Sequence, residues 1–144
     1  MNARALPREV PVLVVGAGPS GLMAALLLER LGVETLLVER RPGPQRAPAA
    51  HVVNARTFEI CRAAGVDMEA VARAAKSPSD AGFVDWCVRL GGTRIGRLPF
   101  ERQGDDQLAV TPTPLRNLSQ NKFEPLLLEA LGAAPLWGHQ WESA

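Results

Sequence analysis

With 144 residues, the chain is long enough for one domain with a sizeable core, and its 47% hydrophobic content is ordinary for a globular protein. The formal net charge is only +1, and the basic residues form no stripe with interleaved aromatic residues, so we expect no nucleic acid partner. The two cysteines, Cys61 and Cys87, form no C-x-x-C pair and the two histidines are far apart, which excludes the usual spacing of a metal site. Two lone cysteines favour a reduced, cytoplasmic setting, and we expect both thiols to be buried.

One uncharged segment, residues 10–28, has 19 residues, so on length alone it is compatible with a membrane anchor. Pro11 and the glycines and proline of residues 16–21 divide it into a short strand, a turn and a helix. We therefore predict no membrane span and no targeting segment.

The segment 12–39 has the order of a dinucleotide-binding βαβ unit. An apolar strand (12–15) leads into the G-x-G-x-x-G sequence of residues 16–21, and a helical run (22–31) follows. A second apolar strand (35–38) ends in an acidic residue, Glu39. This context predicts a phosphate-binding turn, with an ordinary glycine-rich strand-to-helix turn as the alternative.

Each residue of the turn has a physical role in holding a nucleotide. Gly16 allows the tight turn out of the strand, Gly18 has no Cβ and lets a pyrophosphate approach the backbone, and Gly21 lets the helix lie close to the strand. Pro19 and Ser20 lie in the turn just before the predicted helical run, and the N–H groups and positive dipole end at the N-terminus of that helix favour phosphate. We therefore predict that all five residues contact the cofactor.

Glu39 follows Gly21 by 18 residues, at the position where a carboxylate accepts the hydroxyl groups of an adenosine ribose. A carboxylate also repels a 2′-phosphate at the same place. The nucleotide is therefore expected to be FAD or NAD rather than NADP, while the alternative for Glu39 is a solvated residue at the end of a strand.

Beyond residue 39 the sequence predicts three more helices and one hairpin. The proline-rich segment 40–50 is a loop, and Asn54, Asp67 and Ser119 are placed to cap helices that run to residues 64, 75 and 131. Two β-rich runs around Gly91-Gly92 predict a β-hairpin.

The remaining sequence features bear on the layers of the fold. The first helix is apolar nearly all round, which is typical of a helix covered on more than one side and favours a doubly wound sheet with layers on both faces. A charged, solvated loop is expected at residues 101–106. The tail, residues 135–144, contains Trp137 and Trp141 with no evident partner.

Three motifs are similar to those of the FAD-dependent aromatic hydroxylases, the flavoprotein monooxygenases related to phenol and p-hydroxybenzoate hydroxylases. The first is the turn of residues 16–22 together with the Val-Glu-Arg sequence of residues 38–40. The second is Asn-Ala-Arg-Thr-Phe-Glu-Ile at residues 54–60, and the third is the segment 119–127, which is similar to the family's Q-x-x-L-E-P-L-L helix. The resemblance covers residues 11–131, and the second and third motifs together are more discriminating than the first.

The resemblance implies an activity and a cofactor. Members of the family reduce FAD with NADH or NADPH and insert one oxygen atom of dioxygen into an aromatic ring. By position, Glu39 and Arg40 are implied to contact the adenosine side of the FAD. Arg56 and Gln120 are implied to contact it as well, Gln120 near the ribityl or pyrophosphate region, although without the resemblance a surface arginine and a solvated glutamine are the simpler interpretations.

The chain departs from the family at two places. Many members have an arginine where Ala49 stands here, and Arg46 in the same loop is a candidate substitute. The chain also ends at Ala144, before the family's Asp-Gly and Gly-Asp segments and most of its substrate domain. We therefore expect a C-terminally truncated, Rossmann-like α/β chain that is inactive alone and pairs with a complementing chain or an oligomer.

The expected organisation is an FAD-binding βαβ portion at residues 1–80, a β-hairpin that starts the substrate domain at 81–112, and a return helix and tail at 113–144. Two other functions stay open at this point. One is a truncated remnant or nucleotide-binding module without catalysis, and the other is an NAD-dependent Rossmann oxidoreductase, which has no need of Arg56 and Gln120. The sequence does not name the aromatic substrate.

Overall fold

The computed structural model describes residues 6–100 and 105–143. Two short 3-10 helices, Pro78–Ala81 and Asp105–Gln107, lie in connections between the main elements. In chain order, those elements are β1 (Val12–Val15), α1 (Pro19–Arg30), β2 (Thr35–Glu39), β3 (Val52–Val53), α2 (Ala55–Ala63), α3 (Met68–Ala74), β4 (Phe83–Cys87), β5 (Arg94–Pro99), β6 (Arg116–Asn117), α4 (Gln120–Ala130) and β7 (Leu136–Trp137).

A parallel sheet of three strands, in the order β1–β2–β7, underlies the cofactor motif. β1 pairs with β2 in the register Val14 opposite Leu37, so β1, α1 and β2 form the predicted βαβ unit and the Rossmann-like α/β fold class is confirmed. β7 extends the sheet by pairing Glu39 with Trp137. The expectation that Trp137 has no partner is therefore wrong, because a strand of only two residues leaves no periodic signal in the sequence.

Helix α1 begins at Pro19, three residues before the predicted start, because proline at the first helical position has no N–H to satisfy and a φ already suited to a helix. Its buried residues, Leu22, Ala25 and Leu26, face the core between the sheet and α4. Because α1 packs against both the sheet and α4, it is apolar on more than one side. On the other face of β1, Leu13 is 42% exposed and Val15 is 56% exposed, so the described residues do not form the second layer that the sequence predicted.

The predicted helix caps are confirmed at two of three positions. Asn54 Oδ1 accepts the Thr57 N–H at 2.8 Å at the start of α2. Asp67 Oδ1 accepts two N–H groups at the start of α3. Ser119 stands at the N-cap of α4, but its side chain makes no capping hydrogen bond.

A second, two-stranded sheet joins the loop after β2 to the start of α4. Val52 pairs with Asn117 and Val53 with Arg116 in antiparallel register. The Gln120 N–H also donates to Ala50 O at 2.7 Å. This pairing, which the sequence did not predict, places the loop 40–50 beside the first turn of α4.

The predicted hairpin is confirmed, with β4 and β5 antiparallel and Asp85 opposite Arg97. The Arg97 guanidinium donates to both oxygens of Asp85 at 2.6 and 2.7 Å, and this contact lowers the pKa of Asp85. Every residue of β4 is exposed, so the expectation of a buried thiol is wrong for Cys87. Cys61 is buried in the core, and burial raises the pKa of its thiol to about 11.

Within residues 6–100 and 105–143, no helix is long and apolar enough to cross a membrane, and the uncharged segment 10–28 forms β1, the turn and most of α1. No group of three or more His, Cys, Asp or Glu side chains in these same ranges is placed to hold a metal ion. Most of the charged loop predicted at 101–106 lies outside the described residues.

Candidate cofactor-binding site

Two glycines of the G-x-G-x-x-G segment, residues 16–21, are required by the fold. Gly16 has a φ of +102°, which residues with a Cβ rarely adopt, and its N–H donates to Val38 O at 2.8 Å. Gly21 packs directly against the same residue, because a Cβ at this position would overlap Gly16 O. These contacts agree with the tight turn and the close helix–strand packing expected from the sequence.

Gly18 is different, because the fold does not require a glycine there. Its φ of −78° and ψ of 179° are accessible to any residue, and a Cβ would meet no atom within 4 Å. The space next to Gly18 is therefore an open cradle at the start of α1, which a side chain would fill. Such a cradle fits the close approach of a pyrophosphate to the backbone.

The start of α1 offers donors to an anion. Leu22 N–H donates to Gly18 O at 2.9 Å, so the N–H groups of Ser20 and Gly21 precede the first helical hydrogen bond and have no acceptor within the helix. The first turn contains no acidic residue. The donors and the positive end of the helix dipole therefore favour a phosphate at this end of α1.

Glu39 lies at the end of β2 and is only 7% exposed. Its Oε2 accepts the Ala17 N–H at 2.8 Å. Its Oε1 accepts the Arg41 backbone N–H at 2.9 Å and the Arg41 Nε at 3.0 Å. The Glu39 carboxylate therefore links the end of β2 to residues 16–21, which we name the phosphate turn, and to the loop that follows β2. The sequence did not predict the contact of Arg41 with this carboxylate.

The charge of Glu39 follows from opposing effects on its pKa. Burial raises this pKa, but hydrogen bonds from the Arg41 side chain and from the backbone N–H groups of Arg41 and Ala17 lower it more, to about 2. The carboxylate is therefore anionic at neutral pH. An anion at the end of β2 is suited to accept hydrogen bonds from hydroxyl groups and to repel a 2′-phosphate.

A cleft of about 250 Å³, which we name the Glu39 cleft, opens between the phosphate turn and residues 139–141, which follow β7. One wall is the segment after β7, held by hydrogen bonds from Gly138 N–H to Arg41 O and from His139 N–H to Glu39 O, both 3.0 Å long. The sequence did not place this segment at the site. The cleft is lined by Val15, Gly16, Val38, Glu39, Arg40, His139, Gln140 and Trp141.

A second cleft, of about 200 Å³, lies beyond the start of α1, and we name it the Gln120 cleft. Gly16 lines the Glu39 cleft and Pro19 lines the Gln120 cleft, so the phosphate turn stands between the two. The residues that line the Gln120 cleft are Pro19, Ala50, Val52, Val53, Asn54, Thr57, Gln120 and Phe123.

A chain of hydrogen bonds connects residues of the two clefts. Arg41 Nη1 donates to Gln45 Oε1 at 2.7 Å, and Gln45 N–H donates to Glu124 Oε2 at 2.8 Å. Gln120 Nε2 donates to Glu124 Oε1 at 2.8 Å. The sequence did not predict this connection, for which the only signal is the spacing of four residues between Gln120 and Glu124 on one helix.

The two predicted arginines are both exposed. Arg40 lies on the rim of the Glu39 cleft. The Arg56 side chain is 77% exposed and forms an ion pair with Glu59 at 2.9 Å. Among the described residues that line the Gln120 cleft, Asn54 and Thr57 are present and Arg56 is not, so a cofactor contact by Arg56 stays a prediction.

Comparison with known proteins assigns the chain to one family. The model of a family described as "FAD binding domain" matches residues 9–143. The chain is 38% identical over 134 residues to 2,4-dichlorophenol 6-monooxygenase of Delftia acidovorans, a match that covers 89% of the chain and 22% of that protein. It is 43% identical over 126 residues to aklavinone 12-hydroxylase RdmE of Streptomyces purpurascens, covering 83% of the chain and 23% of that protein.

Solved structures agree with these sequence matches. The crystal structure of the flavin-dependent monooxygenase PieE in complex with FAD and substrate is 36% identical and superposes with a TM-score of 0.75, over 92% of this chain and 24% of that one. The chain thus spans about a quarter of the length of the relatives it matches. The resemblance drawn from the three motifs is confirmed, and the chain belongs to the FAD-binding domain family of the FAD-dependent aromatic hydroxylases.

Proposed function

We propose that this chain binds FAD in an extended conformation across the phosphate turn. The adenosine lies in the Glu39 cleft, the pyrophosphate lies at Gly18 and the start of α1, and the ribityl side lies near Gln120. The observation that supports this most is the open cradle at Gly18 between two clefts, each lined by a residue predicted to bind the cofactor. The complex of PieE with FAD supports the identity of the nucleotide.

Glu39 binds the ribose in a more restricted way than the sequence suggested. A carboxylate has about four acceptor positions. Three are taken by the Ala17 N–H, the Arg41 N–H and the Arg41 Nε, and the fourth is approached only by Arg41 Nη2 at 3.5 Å. We propose that one ribose hydroxyl takes this fourth position from Arg41 Nη2, while exposed Arg40 adds positive charge at the rim of the cleft.

For the complete protein, we propose hydroxylation of an aromatic substrate with FAD, NADH or NADPH, and dioxygen. The support is the similarity to proteins named 2,4-dichlorophenol 6-monooxygenase and aklavinone 12-hydroxylase. FAD, when bound, supplies the redox chemistry, while residues of this chain bind and orient its adenosine side. The β4–β5 hairpin is proposed to start the substrate domain, and the exposed faces of the hairpin and of β1 are proposed to be covered by further chain or by a complementing chain.

Calorimetric titration of the purified chain with three nucleotides tests the proposal. We expect ADP and FAD to bind with one site per chain, and we expect the 2′-phosphorylated form of ADP to bind at least tenfold more weakly because of the Glu39 anion. Absence of ADP and FAD binding would contradict the proposed function. Equal binding of the 2′-phosphorylated nucleotide would contradict the role given to Glu39.

A further inference from the structure

Helix α4 contains a fully buried carboxylate, Glu124, to which the FAD contacts proposed above give no role. Burying a carboxylate costs free energy unless hydrogen bonds and a nearby positive charge compensate. Glu124 has both, because Gln45 and Gln120 each donate to one of its oxygens and the positive charge of Arg41 lies close enough to interact with it. The buried Glu124 carboxylate therefore holds in place the two groups that donate to it, which are the Gln120 amide and the Gln45 N–H.

The first group that Glu124 holds is the side-chain amide of Gln120. Gln120 Nε2 donates to Glu124 Oε1 at 2.8 Å, so the NH₂ group of Gln120 faces Glu124. This orientation leaves Gln120 Oε1 as an acceptor, and none of the described residues donates to it. Because Gln120 lines the Gln120 cleft, its free Oε1 is suited to a ligand that carries hydroxyl groups, which donate hydrogen bonds, rather than to phosphate oxygens, which only accept them.

The second group is the backbone of the loop 40–50. Glu124 Oε2 accepts the N–H of Gln45, whose side chain in turn accepts from Arg41. Arg41 is the residue that shares the Glu39 carboxylate. Glu124 therefore contacts both ends of the proposed site, the Gln120 end directly and the Glu39 end through Gln45 and Arg41.

We infer that Glu124 is a positioning residue that presents the Gln120 carbonyl oxygen to the ribityl hydroxyl groups of FAD. The inference rests on the proposed function and deepens it, since it assigns the ribityl chain rather than the pyrophosphate to Gln120. ADP has no ribityl chain. A change at Glu124 that turns the Gln120 amide but keeps an acceptor for the Gln45 N–H therefore affects FAD binding and leaves ADP binding nearly unchanged.

The test compares the affinities of FAD and ADP for the unchanged chain and for Glu124→Gln. The new amide offers an NH₂ group to Gln120 and lets the Gln120 amide turn over, so FAD is expected to bind about tenfold more weakly, with ADP changed less than about twofold. Glu129→Gln is the matched control, because Glu129 is exposed on the same helix, and it is expected to change neither affinity. A merely structural role of Glu124 would lower both affinities together.

A double variant tests whether Glu124 acts through Gln120. We expect Gln120→Ala to lower the FAD affinity by itself. In the double variant, Glu124→Gln should lower the FAD affinity by less than about a further twofold, since coupled residues do not contribute additively. Circular dichroism checks the fold of each variant. If Glu124→Gln does not fold, Glu124→Asp takes its place; its shorter side chain weakens the contacts with both Gln45 and Gln120, so the expected result is a larger loss of FAD affinity than of ADP affinity.

The outcomes separate this inference from the proposed function. If the unchanged chain binds FAD and a folded Glu124 variant binds FAD equally well, or loses FAD and ADP to the same extent, the inference is overturned and the proposed function stands. If the unchanged chain binds neither nucleotide, both are overturned.

Discussion

The carboxylate of Glu39 accepts the backbone N–H of Ala17 at 2.8 Å, so the last residue of β2 is hydrogen-bonded to the second residue of the phosphate turn. Without this bond, a nearly buried N–H in the turn would lack an acceptor. The acid that is proposed to bind ribose therefore also shapes the site for the pyrophosphate. A change at Glu39 is expected to act on both.

Glu39→Gln is expected to weaken ADP and FAD binding by about 1–3 kcal/mol, the usual scale for losing a charged hydrogen-bond partner. The amide keeps one acceptor oxygen but directs an NH₂ group at Ala17 or Arg41, both of which are donors. Glu34→Gln is the matched control, since Glu34 is exposed just before β2. Calorimetric affinities that do not differ between the two variants would show that Glu39 takes no part in binding.

The free energy of unfolding is expected to fall in acid because of Glu39. Its pKa in the folded chain is about 2, against an ordinary value of 4.5, so the stabilisation is complete above pH 4.5 and is lost as the pH falls towards 2. The full contribution is on the order of 3 kcal/mol, of which about 2 kcal/mol is lost by pH 3. Other acids with lowered pKa values, Asp67 and Asp85, change in the same direction.

Urea unfolding of the unchanged chain and of Glu39→Gln at pH 6 and pH 3 isolates the contribution of Glu39. The difference in unfolding free energy between the two proteins should shrink by about 2 kcal/mol at the lower pH. A difference that is the same at both pH values would mean that the carboxylate is not held in its ionised form.

The two glycines Gly18 and Gly21 are expected to respond to substitution in opposite ways. Gly18→Val fills the open cradle, so nucleotide binding should be lost while the unfolding free energy changes by no more than about 1 kcal/mol. Gly21→Ala places a Cβ against Gly16 O and should cost about 1–3 kcal/mol of stability, as overpacking does elsewhere. Gly43→Val, in open space in the loop after β2, is the control for both. Retained ADP binding by Gly18→Val would place the pyrophosphate somewhere else.

The purified chain of 144 residues is expected to hydroxylate no aromatic compound. Hydroxylation requires a reduced flavin next to the substrate and shielded from water, and every residue of β4 in the hairpin is exposed. The assay contains FAD, NADH or NADPH, and a panel of phenols. Any oxidation of the nicotinamide donor should proceed at the rate seen with FAD without protein, and it should yield hydrogen peroxide. Stoichiometric hydroxylated phenol, detected by mass spectrometry, would reveal a substrate site that the described residues do not show.

The sequence predicts the parts of the fold that have a strong local signal. The strand–turn–helix–strand order, the caps at Asn54 and Asp67, and the Gly91-Gly92 hairpin follow from backbone chemistry within a few residues, and the structure confirms them. β7 and the β3–β6 pair depend instead on contacts between distant residues. Their strands of two residues are too short for any periodic pattern.

The candidate site shows the same division. Spacing alone predicts roles for Gly16, Gly18, Gly21 and Glu39, and the structure places these residues around one turn. Spacing does not reveal Arg41 and the segment after β7, because their parts in the site depend on the folded positions of β2 and β7. It does not reveal Glu124 either, because a glutamate one turn from a glutamine on a helix usually indicates a solvated pair.

The most direct test of the account is to map both nucleotides onto the chain by amide chemical-shift perturbation in two-dimensional NMR. ADP is expected to shift the amides of residues 16–18, 20, 21 and 138–141, which belong to the phosphate turn and to the wall of the Glu39 cleft. FAD is expected to shift these same amides and, in addition, those of Ala50 and Gln120 in the second cleft. Identical sets of shifts for ADP and FAD, or shifts that leave residues 16–21 unchanged, would contradict a site that extends across the turn from Glu39 to Gln120.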